Sequence, residues 1–143
     1  MTVARTGTHG LTPALARFRD AWLGGDPQAV AALYRPEGER HDAGFGEVAR
    51  GRAAIAAAAG AFMEAFGDRS LTLRPLDAGP DGWACEIAWS AVHAGPFRGL
   101  PPCRRRVEFS GLSVGWTGQD GLLAVEKWYS DAAVLMRNLG GRV

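Results

Sequence analysis

The spacing of apolar residues changes once along this chain, and that change limits the folds that the chain can form. Before about residue 67, apolar side chains recur mainly every three or four positions, as in an amphipathic helix. After about residue 70 they alternate with polar side chains, as in a strand. The clearest alternation places six side chains on one face of a strand: Trp83, Cys85, Ile87, Trp89, Ala91 and His93. Helices followed by a run of antiparallel strands indicate an α+β fold.

Proline and glycine mark the ends of the predicted helices. Thr12-Pro13 and Asp26-Pro27 each begin a helix, because Thr or Asp can accept a hydrogen bond from a free backbone N–H and Pro favours the first turn. Gly24-Gly25 ends the first helix, and Arg35-Pro36 ends the second, because a residue before Pro avoids the helical region. A third, alanine-rich helix is predicted from Arg52 to Phe66.

The remaining elements are predicted strands and one closing helix. A short strand at Glu39–Asp42 is followed by a loop up to Val48. Later strands are predicted at 71–75, 83–93, 104–116 and 122–130, with a turn cluster at 77–82 and a helix at 131–139. A curved antiparallel sheet wrapped around the N-terminal helices would leave an internal pocket. We expect a single domain over 1–143, with 1–11 as a flexible N-terminus.

Charge and cysteine content exclude several classes of protein. The net charge of +1 gives no field that favours nucleic acid or a membrane surface. No apolar run approaches the roughly 20 residues that span a bilayer, and the first residues lack the apolar segment of a secretion signal. Cys85 and Cys103 form no Cys-x-x-Cys pair, so no thiolate metal site and no disulfide scaffold is predicted. A cytoplasmic location is expected.

Four segments follow one another over roughly residues 15 to 140: FRDAWLGGDPQAVAALY, GFGEVARGRAAIAA, WSAVHAGPFRGLPPCRRRVEFSG and DGLLAVEKWYSDAAVLMRNLG. In their order and spacing they resemble the SnoaL-like polyketide cyclases of the nuclear transport factor 2-like superfamily. The resemblance implies a cone-shaped fold with a ligand pocket between sheet and helices, and a homodimer formed through the open face of the sheet. It also implies chemistry without a cofactor.

The resemblance nominates one catalytic residue, and the strand pattern nominates a second. Cyclases of this type perform an intramolecular aldol condensation with an acid at the junction after the final strand as general base, which by position is Asp131. Asp131 also precedes a predicted helix, where its role would be an N-cap. His93 ends a strand on the face of Trp89, where it could donate a hydrogen bond to an enolate or shuttle a proton. Its alternative role is a partly exposed strand-end histidine bonded to the loop 95–102.

Ligand-binding residues are predicted among the aromatic side chains and one further histidine. His41 and Asp42 are adjacent on a strand, so only one of them can enter the pocket, and His41 is taken as a candidate. No third ligand accompanies them, and no metal site is predicted. Core packing is the alternative for most of the aromatic candidates, of which Trp22 and Trp89 are the strongest: Trp22, Phe45, Phe62, Trp89, Phe97 and Trp128.

Charged residues on the later strands are expected to form cross-strand ion pairs on an exposed sheet face. Glu86, Glu108 and Glu126 are assigned there, together with Arg104 and Arg106.

Two functions follow from these features. The first is a cyclase or isomerase that acts on a small hydrophobic, polyketide-like carbonyl compound by acid–base catalysis. The second is a non-enzymatic dimer that binds an apolar metabolite. A hydrolase similar to the epoxide hydrolases of this superfamily is a weaker third alternative. Those enzymes hold a water with Asp, Asn and Tyr side chains together, and the single Asn of this chain is Asn138 in the closing helix.

Overall fold

In the computed structural model, residues 10–141 form four helices and six strands. The helices are α1 (Pro13–Leu23), α2 (Pro27–Ala31), α3 (Arg52–Ala65) and α4 (Ala132–Asn138). The strands are β1 (Tyr34–Asp42), β2 (Glu47–Arg50), β3 (Phe66–Gly79), β4 (Gly82–His93), β5 (Arg106–Thr117) and β6 (Leu123–Ser130). The predicted flexible segment 1–11 lies almost entirely outside the described residues.

The first two helices begin where the sequence predicts. Thr12 Oγ1 accepts a hydrogen bond from Leu15 N at 3.3 Å, and Asp26 Oδ1 accepts one from Gln28 N at 2.9 Å. The predicted end of α2 at Arg35 is wrong. The helix ends at Ala31 because the chain joins the sheet at Tyr34, which pairs with Leu123 of β6.

The six strands form one sheet in the order β2-β1-β6-β5-β4-β3. Neighbouring strands are antiparallel, as predicted, except that β1 and β6 run parallel. β2 lies where a loop is predicted, and it pairs antiparallel with β1. β3 is longer than predicted, because it pairs with β4 from Phe66 to Gly79. The turn between them narrows to Pro80-Asp81.

The core forms where the helices cover one face of the sheet. On β4 the six predicted inward residues, from Trp83 to His93, are all buried. The core continues through α1 and α3, where Leu15, Phe18 and Ile55 are also buried. The α+β class and the helix-covered sheet are therefore as predicted. Within residues 10–141, no helix is long and apolar enough to cross a bilayer.

Candidate active site

A cavity of about 710 Å³ lies between the helices and the sheet. Its helical wall consists of Phe18 and Trp22 from α1 and one face of α3. That face of α3 carries alanines, and small side chains there leave the volume of the cavity unfilled: Ala54, Ala57, Ala58 and Ala61. A volume of this size fits a small organic ligand.

Aromatic rings in edge-to-face contact form the apolar wall of the cavity. The centroid of Trp22 lies 5.6 Å from that of Phe62 and 6.1 Å from that of Trp89. Phe62 and Trp89 lie 5.0 Å apart, and Phe109 stacks on Trp89 at 6.3 Å. Because each ring is held by two or more others, the wall is already formed without a ligand.

Trp128 pairs with Ser113 of β5, and its indole ring lies over Gly111, two residues earlier on β5, where there is no side chain. A Cβ atom placed on Gly111 would lie 2.8 Å from Cη2 of Trp128 and 2.3 Å from the carbonyl oxygen of Tyr129. Any larger residue at 111 would therefore displace the indole ring. The glycine fixes the position of one wall of the site.

A buried carboxylate stands at the polar end of the cavity. Glu126 on β6 is fully buried and accepts a hydrogen bond from the Tyr34 hydroxyl at 3.0 Å and from the Ser113 hydroxyl at 2.8 Å. Ser113 in turn accepts one from Trp83 Nε1 at 3.0 Å. Burial, and next the adjacent Glu126 carboxylate, raise the pKa of Tyr34, so Tyr34 remains a protonated donor.

Arg40 on β1 supplies the charge that balances Glu126. Its Nε lies 3.0 Å from Glu126 Oε1, but the N–H does not point at that oxygen and makes no hydrogen bond. The guanidinium carbon lies 5.0 Å from the centroid of Trp22. Burial opposes the charge on Arg40, but Glu126 and then Tyr34 and Asp42 outweigh burial and raise its pKa. Arg40 is therefore a permanent cation in the cavity wall.

Asp42 follows two residues after Arg40, on the same face of β1. It lines the cavity, is half-buried, and accepts a hydrogen bond from the backbone N–H of Phe45 at 3.2 Å. Two other carboxylates line the cavity, and each has a guanidinium partner: Glu126 pairs with Arg40, and Glu47 with Arg98. Among the described residues, Asp42 is thus the lining carboxylate that has no ion pair.

The pair of Arg98 and Glu47 closes one side of the cavity mouth. Arg98 donates two hydrogen bonds to Glu47, at 2.6 and 3.0 Å, and these bonds lower the pKa of Glu47. Its guanidinium also lies 3.6 Å from the centroid of Phe45 and 5.4 Å from that of Phe97. These contacts join the β1–β2 turn to the loop after β4.

The structure places six of the seven predicted ligand-binding residues in the cavity wall. They are Trp22, Phe45, Phe62, Trp89, Phe97 and Trp128. His41 is not among the lining residues, and the prediction that it faces the pocket is wrong. Its Nε2 lies 2.9 Å from Glu39 Oε1, because the alternation along β1 turns Arg40 and Asp42 toward the cavity and their neighbours away.

The two predicted catalytic residues, Asp131 and His93, do not share a cavity. Asp131 is exposed and caps α4, where its Oδ1 accepts a hydrogen bond from Val134 N at 3.0 Å. His93 is fully buried outside the cavity, and its Nδ1 accepts a hydrogen bond from Cys103 N at 3.1 Å. Its ring stacks on Phe66, and its Nε2 has no partner among the described residues. Asp131 thus has the N-cap role that is its structural alternative. His93 differs from both of its predicted roles, because it is fully buried and is bonded to Cys103, just after the loop 95–102.

Three polar residues of the site lie outside the sequence prediction. Glu126 is expected on the exposed face of the sheet, and that prediction is wrong because Glu126 is fully buried. Arg40 and Tyr34 are not predicted at all. The available signal is the spacing Arg40-x-Asp42, which puts opposite charges on one face of a strand. Residues 10–141 contain no group of three or more His, Cys, Asp or Glu side chains suited to a metal ion.

Comparison with solved structures identifies the fold. TsrD from Streptomyces laurentii matches with a TM-score of 0.77 at 25% identity, covering 96% of this chain and 100% of TsrD. IdmH from Streptomyces antibioticus, a candidate polyketide cyclase, matches with a TM-score of 0.72 at 23% identity, covering 89% of this chain and 96% of IdmH. A protein of ketosteroid isomerase-like fold from Catenulispora acidiphila matches with a TM-score of 0.75 at 18% identity, covering 92% and 96%. The chain therefore has the ketosteroid isomerase-like, nuclear transport factor 2-like α+β fold.

Sequence comparison then identifies the family. The family model of the SnoaL-like polyketide cyclases matches residues 12–139. This chain belongs to the SnoaL-like polyketide cyclase family, as the sequence resemblance predicts. A steroid Δ-isomerase from Nocardioides simplex is 50% identical over 42 residues, which are 29% of this chain and about a third (34%) of that relative's length.

Proposed function

We propose that this protein is an isomerase or cyclase that removes a proton next to the carbonyl of a small hydrophobic compound, with Asp42 as the general base. The family and the short match to a steroid Δ-isomerase support chemistry of this type. The assignment of Asp42 as the base rests on its surroundings in the cavity. Within residues 10–141 it is the lining carboxylate without an ion pair, and it stands in a cavity with aromatic walls.

The reaction starts when the Asp42 carboxylate accepts the α-proton of the substrate. The C–H electron pair then moves into the C–C bond and onto the carbonyl oxygen, which gives an enolate and a protonated Asp42. In an isomerisation, Asp42 returns the proton to a different carbon. In a cyclisation, the enolate carbon attacks a second carbonyl of the same molecule, and Asp42 protonates the resulting alkoxide. Both reactions balance as internal proton transfers and require no cofactor.

Proton exchange tests this function without knowledge of the natural substrate. The protein is incubated in heavy water with a panel of small ketones and esters, and deuterium at the α-carbon is measured by NMR. We expect exchange above the buffer rate for hydrophobic carbonyl compounds. Asp42→Asn should lower that rate about 10²- to 10⁴-fold, which is the usual contribution of a general base.

The matched control is Asp131→Asn. Asn caps a helix as well as Asp does, so α4 should remain intact and exchange should continue at the wild-type rate. Loss of exchange in Asp131→Asn, together with retention in Asp42→Asn, would contradict the assignment of the base. Binding of the ketones by the wild type without any exchange would favour the non-enzymatic binding function.

We infer that the protein also forms a homodimer through the face of the sheet that the helices leave open. Trp116 on β5 and Tyr129 on β6 support this, because 46% and 44% of their surfaces are exposed. Large aromatic side chains are enriched at protein–protein interfaces. Light scattering during gel filtration should give twice the chain mass of 15.2 kDa, and Trp116→Glu should shift the protein toward monomer.

A further inference from the structure

The charge of Arg40 is balanced, but not all of its hydrogen-bond donors are used. Glu126 already accepts hydrogen bonds from Tyr34 and Ser113, and the Nε of Arg40 lies beside it without a hydrogen-bond partner among the described residues. Among the described residues, the Tyr34 hydroxyl oxygen is a second side-chain group that accepts a hydrogen bond from the guanidinium. Its side chain keeps 16% of its surface accessible and lines the cavity. A guanidinium carries five N–H donors, so this arrangement leaves donors for a ligand.

We propose that Arg40 binds the carbonyl oxygen of a neutral ketone or ester and stabilises the enolate that forms when its α-proton is removed. This inference rests on the proposed function, because Asp42 supplies the base. Arg40 and Asp42 are two residues apart on one face of β1, which separates their Cα atoms by about 6.5 Å. A carbonyl group and its α-carbon can lie between the two side chains.

The charges around the cavity favour a neutral substrate. Two guanidinium groups, Arg40 and Arg98, and three carboxylates, Asp42, Glu47 and Glu126, line it. The two ion pairs leave the negative charge of Asp42 uncompensated. A carboxylate ligand would add a second negative charge at this site, whereas a ketone adds none.

During the reaction the negative charge moves from Asp42 to the substrate. When Asp42 takes the proton it becomes neutral, and the negative charge appears on the oxygen beside Arg40. The cavity as a whole keeps its charge, but the charge moves to the place where a cation already stands. Donors fixed in a dry site before the reaction stabilise such charge without a further cost of reorganisation.

Glu126 and Trp22 are positioning residues for the Arg40 guanidinium. Oε1 of Glu126 lies 3.0 Å from the guanidinium Nε, and the centroid of the Trp22 ring lies 5.0 Å from the guanidinium carbon. A cation over an indole ring is stabilised by the ring's negative face. These contacts limit the directions in which the free N–H groups of Arg40 can point.

Three probes of the same shape test the proposal by binding alone: 2-acetylnaphthalene, its alkene isostere 2-isopropenylnaphthalene, and the anion 2-naphthoate. We expect the wild type to bind the ketone about tenfold more tightly than the alkene, because an alkene accepts no hydrogen bond. The ketone should also bind more tightly than 2-naphthoate. Equal affinities for ketone and alkene would refute a hydrogen-bond donor for the carbonyl oxygen in the cavity. Tighter binding of 2-naphthoate would refute the proposal that the substrate is neutral.

The double variant Arg40→Met with Glu126→Gln tests whether Arg40 is the group that binds the carbonyl oxygen. It removes both charges of the pair together, and circular dichroism shows whether it is folded. In the folded double variant, the preference for ketone over alkene should disappear. Phe62→Leu, which alters the apolar wall, should weaken both probes equally and keep the preference. A preference retained in the double variant would contradict the assignment.

Vibrational spectroscopy of the wild type gives an independent measurement should the double variant not fold. A hydrogen bond from a guanidinium weakens the C=O bond, so the stretching frequency of bound 2-acetylnaphthalene should fall below its value in water. An unchanged or higher frequency would refute the contact. The two proposals can fail separately. Asp42→Asn should lose proton exchange, which tests the base, but keep the preference for ketone over alkene, which tests Arg40.

Discussion

Replacing Glu126 with Ala should destabilise this protein far more than removing an ordinary glutamate. The carboxylate is fully buried, and its loss leaves three groups unsatisfied: the Arg40 guanidinium and the hydroxyls of Tyr34 and Ser113. Breaking a buried ion pair by removing one partner costs about 3–5 kcal/mol, because the remaining charge stays buried. We therefore expect the free energy of unfolding to fall by about that amount.

The size of the effect can be measured by thermal unfolding. A chain of 143 residues has an unfolding entropy near its midpoint of about 0.3 kcal/mol per kelvin, so the midpoint should fall by about 10–17 °C. Glu86→Ala is the matched control, because Glu86 lies on β4 of the same sheet in a half-exposed pair with Arg74. That change should cost less than about 1 kcal/mol. Equal shifts in the two variants would refute the buried network as a stabilising unit.

Four further outcomes follow from the structure. Asp131→Ala should lower the unfolding free energy by about 1 kcal/mol, because the N-cap of α4 is lost, and should leave proton exchange intact. Asp131→Asn should change neither quantity. Loss of exchange in both variants would contradict a role limited to capping. Burial, assisted by Arg105, lowers the pKa of His93 below 6.5, so the unfolded chain binds the extra proton and stability should fall as the pH drops through about 6.5. His93→Asn should reduce that loss in urea unfolding at about pH 7.5 and 5.5, and an unchanged slope would exclude His93 as its source. Burial raises the pKa of Cys85 to about 12, so iodoacetamide at neutral pH should label Cys103 first, and rapid labelling of Cys85 would contradict its burial.

Much of the fold could be predicted because its signals are local. A capping residue followed by Pro begins α1 and α2, and strict alternation from Trp83 to His93 defines the buried face of β4. The strand β2 has no such signal. Its four residues are mostly exposed and form a sheet edge, so only the pairing with β1 makes them a strand.

The polar half of the site could not be predicted because it depends on tertiary contacts. Whether His41 or Asp42 faces inward is set by the register of β1 against β6, which the sequence leaves open. Whether Asp131 is a base or a cap depends on where α4 packs. In the sequence, Glu126 does not differ from an exposed glutamate on a strand. Its burial depends on contacts with Arg40, Tyr34 and Ser113, which only the folded structure brings together.

The position of a bound ketone tests the central claim most directly. We predict that a crystal structure with 2-acetylnaphthalene places the ligand inside the aromatic cavity, with its carbonyl oxygen in hydrogen-bond contact with Arg40. The methyl carbon next to that carbonyl should face the carboxylate of Asp42. A ketone bound on the outer surface beside Asp131, or inside the cavity with its oxygen turned away from Arg40, would contradict this account.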